Sequence, residues 1–296
     1  RLENISKNIR LITAPNPSPM TFNGTNTYIV GSSKDICIID PGPNDDEHYS
    51  KIKNLLRKEN ASHILVTHSH LDHSPLATKI SQEFSIPIYA HGKIKNARSK
   101  FMKKILESSF DVGGFEGLDM NFKPDFYLKD SEILEGYNWS IEVVYTPGHL
   151  ADHLCFAMGG TNFLFSGDIV MGWTSTLISP PDGDLGQYFY SLDKLLKRNE
   201  DLYLPGHGMQ VKNAKNLVSK LKKHRIDREN QILKILKKQP SNCNQIAEII
   251  YKNQPSAIVY AGSRNVLAHL LNLFERDIVS TRTPISSDNY FMLLNI

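Results

Sequence analysis

Cysteine is scarce in this sequence, with 3 residues among 296. Cys37, Cys155 and Cys243 lie far apart and are odd in number, which argues against a disulfide framework and against a zinc site built from cysteines. No apolar run approaches the roughly 18 residues that cross a bilayer, so we expect no membrane partner. With 40% hydrophobic and 22% charged residues the composition is ordinary for a globular protein, and we expect a cytoplasmic location.

The charge is unevenly distributed along the chain. Residues 1–211 carry 20 Lys and Arg against 25 Asp and Glu, a net of −5, whereas residues 212–296 carry 14 against 6, a net of +8, and the two sum to the overall +3. A basic face recruits nucleic acid or other anions electrostatically. A solvated helical surface explains the same lysines equally well, so the charge alone does not identify a partner.

The run Thr67-His68-Ser69-His70-Leu71-Asp72-His73 follows directly after the apolar segment 64–66. Neutral imidazole nitrogens and carboxylates are the ligands that zinc takes in the absence of cysteine. His68 and His70 project to the same side of an extended chain, because side chains alternate with a period of two. Asp72 and His73 follow in the turn, where they can reach a second ion. A polar surface loop is the alternative interpretation, but a strand followed by a loop is the context that a metal site needs.

Three later segments place a ligand type at the end of a short β-rich run. His149 follows the Pro-Gly of 147–148, Asp168 ends the run 163–168, and His207 follows the Pro-Gly of 205–206. A two-metal hydrolytic centre needs such additional histidines and a bridging carboxylate from other strand ends. Each segment alone is weak evidence, but the four together predict a binuclear metal site.

The order of these motifs resembles the metallo-β-lactamase superfamily, over residues from about 10 to 210. The segment 38–42, which contains Asp40, also matches the first motif of that family. The resemblance implies an α/β fold, a four-layer αβ/βα sandwich with the metals at one edge of the paired sheets. It further implies that one ion is held by His68, His70 and His149. A second ion would be held by Asp72, His73 and His207, and Asp168 would bridge the two ions.

A closer resemblance rests on segments 16–21, 24–28 and 179–184 and on the basic residues near His224. These are similar to the branch that contains animal beta-lactamase-like protein 2 and its bacterial relatives. In that branch a small helical, winged-helix-like domain follows the hydrolase, so we expect a catalytic domain at 1–211 and a winged-helix-like domain at 212–296. Animal members are endoribonucleases acting on single-stranded RNA, and related fungal enzymes are thioesterases.

The secondary structure that we expect is consistent with these two parts. Alternating strands and helices in residues 10–90 favour strands buried between layers. From Lys212 the apolar spacing becomes helical, and Pro240 ends the long amphipathic helix. Two more helices are expected at 244–251 and 263–274, and a small hairpin or wing at 278–283.

The ligand types predict a mechanism that uses no serine or cysteine nucleophile, and no Gly-x-Ser-x-Gly motif is present in the sequence. Two divalent ions lower the pKa of a bridging water from 15.7 to about 7, which makes a bridging hydroxide available. By the resemblance, Asp72 orients this water and is the catalytic residue. Zinc is the expected ion, although iron or manganese also fits the donors. We interpret Asp40 and His153 as residues that orient the ligands without binding the ions themselves.

Candidates for substrate binding come from one basic segment and one aromatic residue. Six of the twelve residues 93–104 are basic, among them Lys93, Lys95 and Arg98. A phosphodiester backbone would favour such a patch, whereas an exposed helix solvated by lysines is the plainer interpretation. Trp173 follows the predicted bridging ligand and either contacts a base or an acyl chain or belongs to the core.

Four functions compete on this basis. The first is an endoribonuclease on single-stranded RNA, and the second is a thioesterase or glyoxalase-II-like hydrolase of small acyl esters or thioesters. A true β-lactamase and a nucleic-acid-binding module with a vestigial site rank lower, because the full two-metal ligand set is present. Only 38 residues separate Asp168 from His207, too few for the long insert of β-CASP nucleases. A homodimer is a further partner that the sequence leaves open.

Overall fold

The computed structural model describes residues 2–32, 34–108 and 111–294. Its strands are β1 (Leu2–Ser6), β2 (Ile9–Thr13), β3 (Asn26–Ser32), β4 (Asp35–Ile39), β5 (Ala61–Leu65), β6 (Ile88–Ala90), β7 (Phe126–Tyr127), β8 (Ile133–Glu135), β9 (Ser140–Tyr145), β10 (Leu154–Met158), β11 (Phe163–Gly167), β12 (Leu202–Pro205), β13 (Val211–Lys212), β14 (Val279–Thr281) and β15 (Phe291–Leu293). Its helices are α1 (Asp46–Leu56), α2 (Pro75–Phe84), α3 (Ile94–Ala97), α4 (Lys100–Ser108), α5 (Leu185–Leu196), α6 (Ala214–Leu236), α7 (Cys243–Ile250) and α8 (Ser256–Glu275).

Two large sheets organise the first 212 residues. One sheet has the order β1-β2-β3-β4-β5-β6-β7, antiparallel from β1 to β4 and parallel from β4 to β7. The other has the order β13-β12-β11-β10-β9-β8, in which only β11 and β12 are parallel. Parallel neighbours need a crossover connection. Helices α1, α2 and α5 supply three of the four connections, and the segment with α3 and α4 supplies the one between β6 and β7.

The side chains of each central strand alternate between two cores. In β4, Cys37 and Ile39 face the core between the two sheets, whereas Ile36 and Ile38 face the core shared with α1 and α2. The second sheet repeats this pattern, since Phe156 of β10 faces the first sheet and its neighbour Cys155 faces α5 and α6. The layers therefore run helix, sheet, sheet, helix, which confirms the four-layer αβ/βα sandwich.

Residues after β13 build a further core from α7, α8 and the hairpin of β14 and β15. The long helix α6 belongs to two cores, because Val218 packs with α5 while Ile232 packs with α7 and α8. A boundary at residue 211 thus precedes a helix that both parts share, and the division into domains at this residue stays a prediction. Three helices followed by a hairpin are consistent with a winged-helix-like arrangement.

Two elements of this C-terminal core differ from the expectation. Helix α8 starts at Ser256 rather than 263 and continues through Gly262, where an added Cβ would lie 2.3 Å from the ring of Tyr251. The hairpin pairs β14 with β15, which begins ten residues after β14 ends rather than within 278–283. Helix α4 also packs in this core through Met102 and Ile105, although it precedes the core by more than a hundred residues.

No helix in the described part of the chain is both long enough and apolar enough to cross a membrane.

The core between the sheets predicts a large effect of a single truncation. Phe156 is fully buried there, so Phe156→Ala should lower the free energy of unfolding by about 3–5 kcal/mol, through lost transfer energy and the cavity left behind. Urea denaturation followed by circular dichroism measures the change. Tyr190→Ala on α5, where the ring is 58% exposed, is the control and should change stability by no more than about 0.5 kcal/mol. Equal effects of the two substitutions would contradict this account of the core.

Candidate metal centre

Four loops, each following the end of a strand, meet at one edge of the two sheets. The loop after β5 carries residues 67–73, and the loops after β9, β11 and β12 carry His149, Asp168 and His207. Their donor atoms form two separate groups and a third that joins them, and within each group every donor atom lies within 4.8 Å of the others. The third group consists of His68, His73 and Asp168. All seven residues that the sequence predicts as ligands are therefore brought together.

The first group consists of three imidazoles. His70 Nδ1 lies 3.0 Å from His68 Nε2 and 3.1 Å from His149 Nε2. His70 therefore presents Nδ1 to the group, whereas the other two histidines present Nε2. Three nitrogen donors converging on one point form the ligand arrangement that a zinc-type ion requires.

The second group combines two imidazoles and a carboxylate. His207 Nε2 lies 3.3 Å from His73 Nε2 and 3.1 Å from Asp72 Oδ2. His73 Nε2 is 3.5 Å from the same carboxylate oxygen. This mixture of nitrogen and oxygen donors suits zinc, iron and manganese.

Asp168 lies between the two groups and contacts both. Its Oδ2 is 3.3 Å from His207 Nε2 and 3.8 Å from His149 Nε2, and its Oδ1 is 3.5 Å from His73 Nε2. Oδ1 is buried without a hydrogen-bond partner among the described residues. A buried anionic oxygen in this condition is costly unless a cation compensates it. The donor set therefore fits two divalent ions with Asp168 as the bridge.

A glycine makes the approach of Asp168 to the second group feasible. An added Cβ at Gly206 would lie 2.3 Å from Asp168 Oδ1 and 2.7 Å from His73 Cε1. Glycine is thus required directly before His207, because any side chain there would collide with the carboxylate.

Asp40 and Thr67 fix two of the histidines from outside. Asp40 Oδ2 accepts from His73 Nδ1 at 2.8 Å and from Thr67 Oγ1 at 2.7 Å, and Thr67 Oγ1 accepts from His68 Nδ1 at 2.9 Å. Because both Nδ1 atoms are engaged in these contacts, both Nε2 atoms face the centre. Asp40 has φ of 51°, a left-handed conformation that is strained for a residue with a Cβ. Thr67 was not among the expected residues; its position directly before the first histidine was the available signal.

The remaining outer contacts act on His149, His207 and Asp168. His149 Nδ1 donates to the carbonyl oxygen of Leu177 at 2.8 Å, and His207 Nδ1 donates to that of Gly24 at 3.2 Å. His153 lies outside the ligand groups, where its Nε2 accepts from the backbone N–H of Asp168 at 3.1 Å.

The two groups differ in their protonation. Burial lowers the pKa of His70 to about 3 and lowers the pKa values of His68 and His149, so all three are neutral. Burial also acts on His207, but the neighbouring Asp168 carboxylate outweighs it and raises the pKa of His207 to about 9. In the same way, Asp72, Asp168 and Asp40 overcome burial and raise the pKa of His73. The three-histidine group can therefore bind an ion without losing a proton, whereas the second group must first release protons.

A cavity of about 600 Å³ opens beside the ligand groups. His70, Asp72, His149, Asp168 and His207 line it. Its other walls are mostly apolar and come from the loop after β2, the loop before β7, helix α8 and the loops that carry the ligands. They include Met20, Leu71, Phe115, Leu118, Leu150, Leu177, Ala257, Tyr260 and Ala261. No sequence motif pointed to the residues of α8, since this helix begins about fifty residues after the last ligand.

None of the four expected substrate-binding residues is among the residues described as lining this cavity. Lys93 lies just before α3 and Lys95 lies on it, and both side chains are exposed. Arg98 is buried, and its guanidinium donates to the Asp182 carboxylate at 2.6 Å. Trp173 stacks on Phe22 with ring centroids 5.1 Å apart and donates to the carbonyl oxygen of His207. Arg98 is thus buried and paired with Asp182. Contacts of these four residues with a substrate stay a prediction.

A sequence profile described as the metallo-beta-lactamase superfamily matches residues 20–207. The chain belongs to the metallo-beta-lactamase superfamily. Members of this superfamily are generally metal-dependent hydrolases, and this one carries the His and Asp groups that such chemistry requires.

Relatives of this metallo-beta-lactamase superfamily protein extend the similarity beyond the matched domain. It is 31% identical to the beta-lactamase-like protein 2 homolog of Drosophila melanogaster over 281 residues, which covers 91% of this chain and 88% of the relative. It is 28% identical to the protein of the same name from Caenorhabditis elegans over 286 residues, covering 94% and 88%. The resemblance to this branch is thereby confirmed.

Solved structures agree on the fold. A metallo-beta-lactamase family protein from Thermus thermophilus superposes with a TM-score of 0.78 at 18% identity, covering 98% of this chain and all of the other. The coverage includes the C-terminal part of the chain.

The Asp40 contacts predict a loss of metal affinity on a conservative change. Asp40→Asn replaces a carboxylate that accepts from Thr67 and His73 by an amide with one acceptor oxygen. We expect metal affinity to fall by about 10–100-fold, as for other partners of metal-binding histidines. Calorimetric titration with Zn²⁺ measures the loss. Asp46→Asn at the exposed start of α1 is the control, and a similar affinity for both variants would refute the role of Asp40.

The protonation difference predicts pH-dependent binding of the second ion. Because the pKa of His207 is raised to about 9, its imidazole carries a proton below that pH, and an ion must displace it. Affinity should therefore rise with pH up to about 9, by roughly tenfold per unit for each displaced proton. Titrations in buffers of different ionisation enthalpy count the released protons. The His207→Ala variant should release fewer protons when it binds the ion. Heats of binding that do not depend on the buffer would contradict the protonation of His207.

Proposed function

We propose that this chain hydrolyses carboxylic esters or thioesters with an apolar acyl group, using two divalent ions held by the seven ligand residues. The observation that carries the proposal is the character of the cavity beside these residues. Its walls are mostly apolar, as in pockets that bind small molecules.

Several large apolar side chains remain exposed around this cavity. Met20, Leu71, Phe115 and Tyr260 are 54%, 51%, 47% and 58% exposed. An acyl chain that covered them would gain about 25 cal/mol for each Å² of apolar surface removed from water. Exposed apolar side chains that cluster around a concave site are typical of a binding groove.

The charges of the cavity also favour a neutral acyl group over a polyanion. Apart from its histidines, the described lining has one basic side chain, that of Arg264. Glu116 adds a negative charge, whereas the Asp182 carboxylate is paired with Arg98. The Arg264 guanidinium is buried and donates to the carbonyl oxygen of Val112 and to the Ser179 hydroxyl. A phosphate backbone, by contrast, is bound by free lysines and arginines.

The chain's own residues suit ester hydrolysis. Two divalent ions, when bound, polarise a carbonyl oxygen and make a water acidic enough to ionise near neutral pH. Asp72 is the carboxylate placed to contact this water, because its side chain is 28% exposed and lines the cavity. His73 and His207 outweigh the effect of burial and lower the pKa of Asp72, so this carboxylate is ionised and can orient a water by accepting a hydrogen bond from it. Zinc is the ion that we propose, with iron or manganese as alternatives.

Hydrolysis of a series of acyl thioesters tests the proposal. For metal-loaded protein we expect kcat/KM to rise from acetyl to longer acyl groups, since each buried CH₂ contributes about 0.8 kcal/mol. His70→Ala should lower kcat/KM by at least about 100-fold, because it removes a ligand. Lys58→Ala, at an exposed residue away from the lining, is the control and should leave the rate unchanged. No hydrolysis of any ester or thioester would refute the proposal.

An endoribonuclease on single-stranded RNA is the second candidate. The net charge of +8 in residues 212–296 favours it, as do the exposed side chains of Lys93 and Lys95. End-labelled single-stranded RNA, incubated with the same preparation, distinguishes the candidates. Cleavage that is lost both with a chelator and in His70→Ala, without thioester hydrolysis, would favour the ribonuclease.

A further inference from the structure

The imidazole of His149 is held from outside the metal centre by one irregular segment, residues 174–180. Its Nδ1 donates to the carbonyl oxygen of Leu177 at 2.8 Å, and the hydroxyl of Thr176 lies 2.8 Å from the same nitrogen. These contacts place the proton on Nδ1 and leave Nε2 facing His70, 3.1 Å away. The orientation of this ligand therefore depends on the position of residues 176 and 177.

This segment is not part of a helix or sheet, so its backbone groups need other partners, and α6 and α8 supply several of them. Arg225 of α6 donates from Nη2 to the carbonyl oxygen of Thr176. Asn265 of α8 accepts from the backbone N–H of Ile178 at 3.0 Å. Arg225 Nη1 also donates to the same Asn265 oxygen at 3.1 Å, so the two side chains are linked.

Arg264 continues these contacts along the segment. It donates from Nε to the Ser179 hydroxyl at 2.9 Å and from Nη2 to the carbonyl oxygen of Pro180. Arg225 and Arg264 are only 3% and 5% exposed. A buried guanidinium is costly unless its donors are satisfied, so each of these contacts favours one position of the segment.

We infer that Arg225, Asn265 and Arg264 form a clamp that positions His149 as a metal ligand. The clamp acts through the backbone of residues 176–180, and none of its members belongs to the ligand groups. It gives the C-terminal helices a part in ion binding that is separate from their place in the cavity wall. The inference concerns the binding of ions and does not depend on which bond the protein hydrolyses.

Asn265→Ala tests the clamp, because it removes the acceptor for Ile178 while both guanidinium groups stay in place. We expect the ion held by His149 to bind about 10–100-fold more weakly and the other ion to be unaffected. Calorimetric titration with Zn²⁺ and absorption spectra with Co²⁺ measure the two affinities separately. His149→Ala identifies which of the two steps belongs to the three-histidine group.

A conservative variant distinguishes positioning from packing. Asn265→Asp keeps an acceptor oxygen for both partners and should restore most of the affinity that Asn265→Ala loses. Thr176→Val, which removes only the hydroxyl next to His149, should weaken the same ion. The matched control is Arg228→Gln on α6, since this arginine contacts Gln231 rather than the segment.

Two results would overturn the inference. One is an unchanged affinity for both ions in Asn265→Ala. The other is an equal weakening of both ions together with a lower melting temperature of the metal-free protein, which would make these contacts ordinary packing. Because no substrate is present in these titrations, a failure to hydrolyse thioesters would leave their outcome intact.

Discussion

The carboxylate of Asp168, buried among imidazoles from three other loops, is the constraint on which the rest of the structure depends. It carries a negative charge because His207 and His73 outweigh the cost of burial and hold the pKa of Asp168 well below its usual range. An ionised group in that position is tolerable only if positive charge stays close to it. The two facing sheets, the Gly206 contact and the outer support of Asp40 and Thr67 all keep that charge within reach.

The sequence predicted the layers, and it predicted that the seven proposed ligand residues lie together, because both features depend on local patterns. A donor residue that follows an apolar run lies at the end of a strand. The side chains of β4 alternate with a period of two, which shows which residues face which core. The motifs around His68 and His207 needed only their neighbours along the chain to be recognised.

The parts that could not be predicted depend on distant contacts. Arg98 looks like one of many basic residues, but its partner Asp182 comes 84 residues later and makes the arginine a buried residue. The cavity wall formed by Tyr260 and its neighbours on α8 has no signature of its own, because these residues reach the ligands only through the packing of the helix against the loop that carries Phe115 and Glu116. The partner strand of β14 was likewise set by packing rather than by a turn motif.

Helix α4 limits how such a chain can be recombined during evolution. It lies between β6 and β7 in sequence, yet Met102 and Ile105 fill the core that α7 and α8 enclose. The C-terminal helices are therefore not a module that a single crossover can transfer intact. A chimera that took residues after β13 from one family member and the rest from another would join mismatched halves of one core, unless residues 100–108 were exchanged with them.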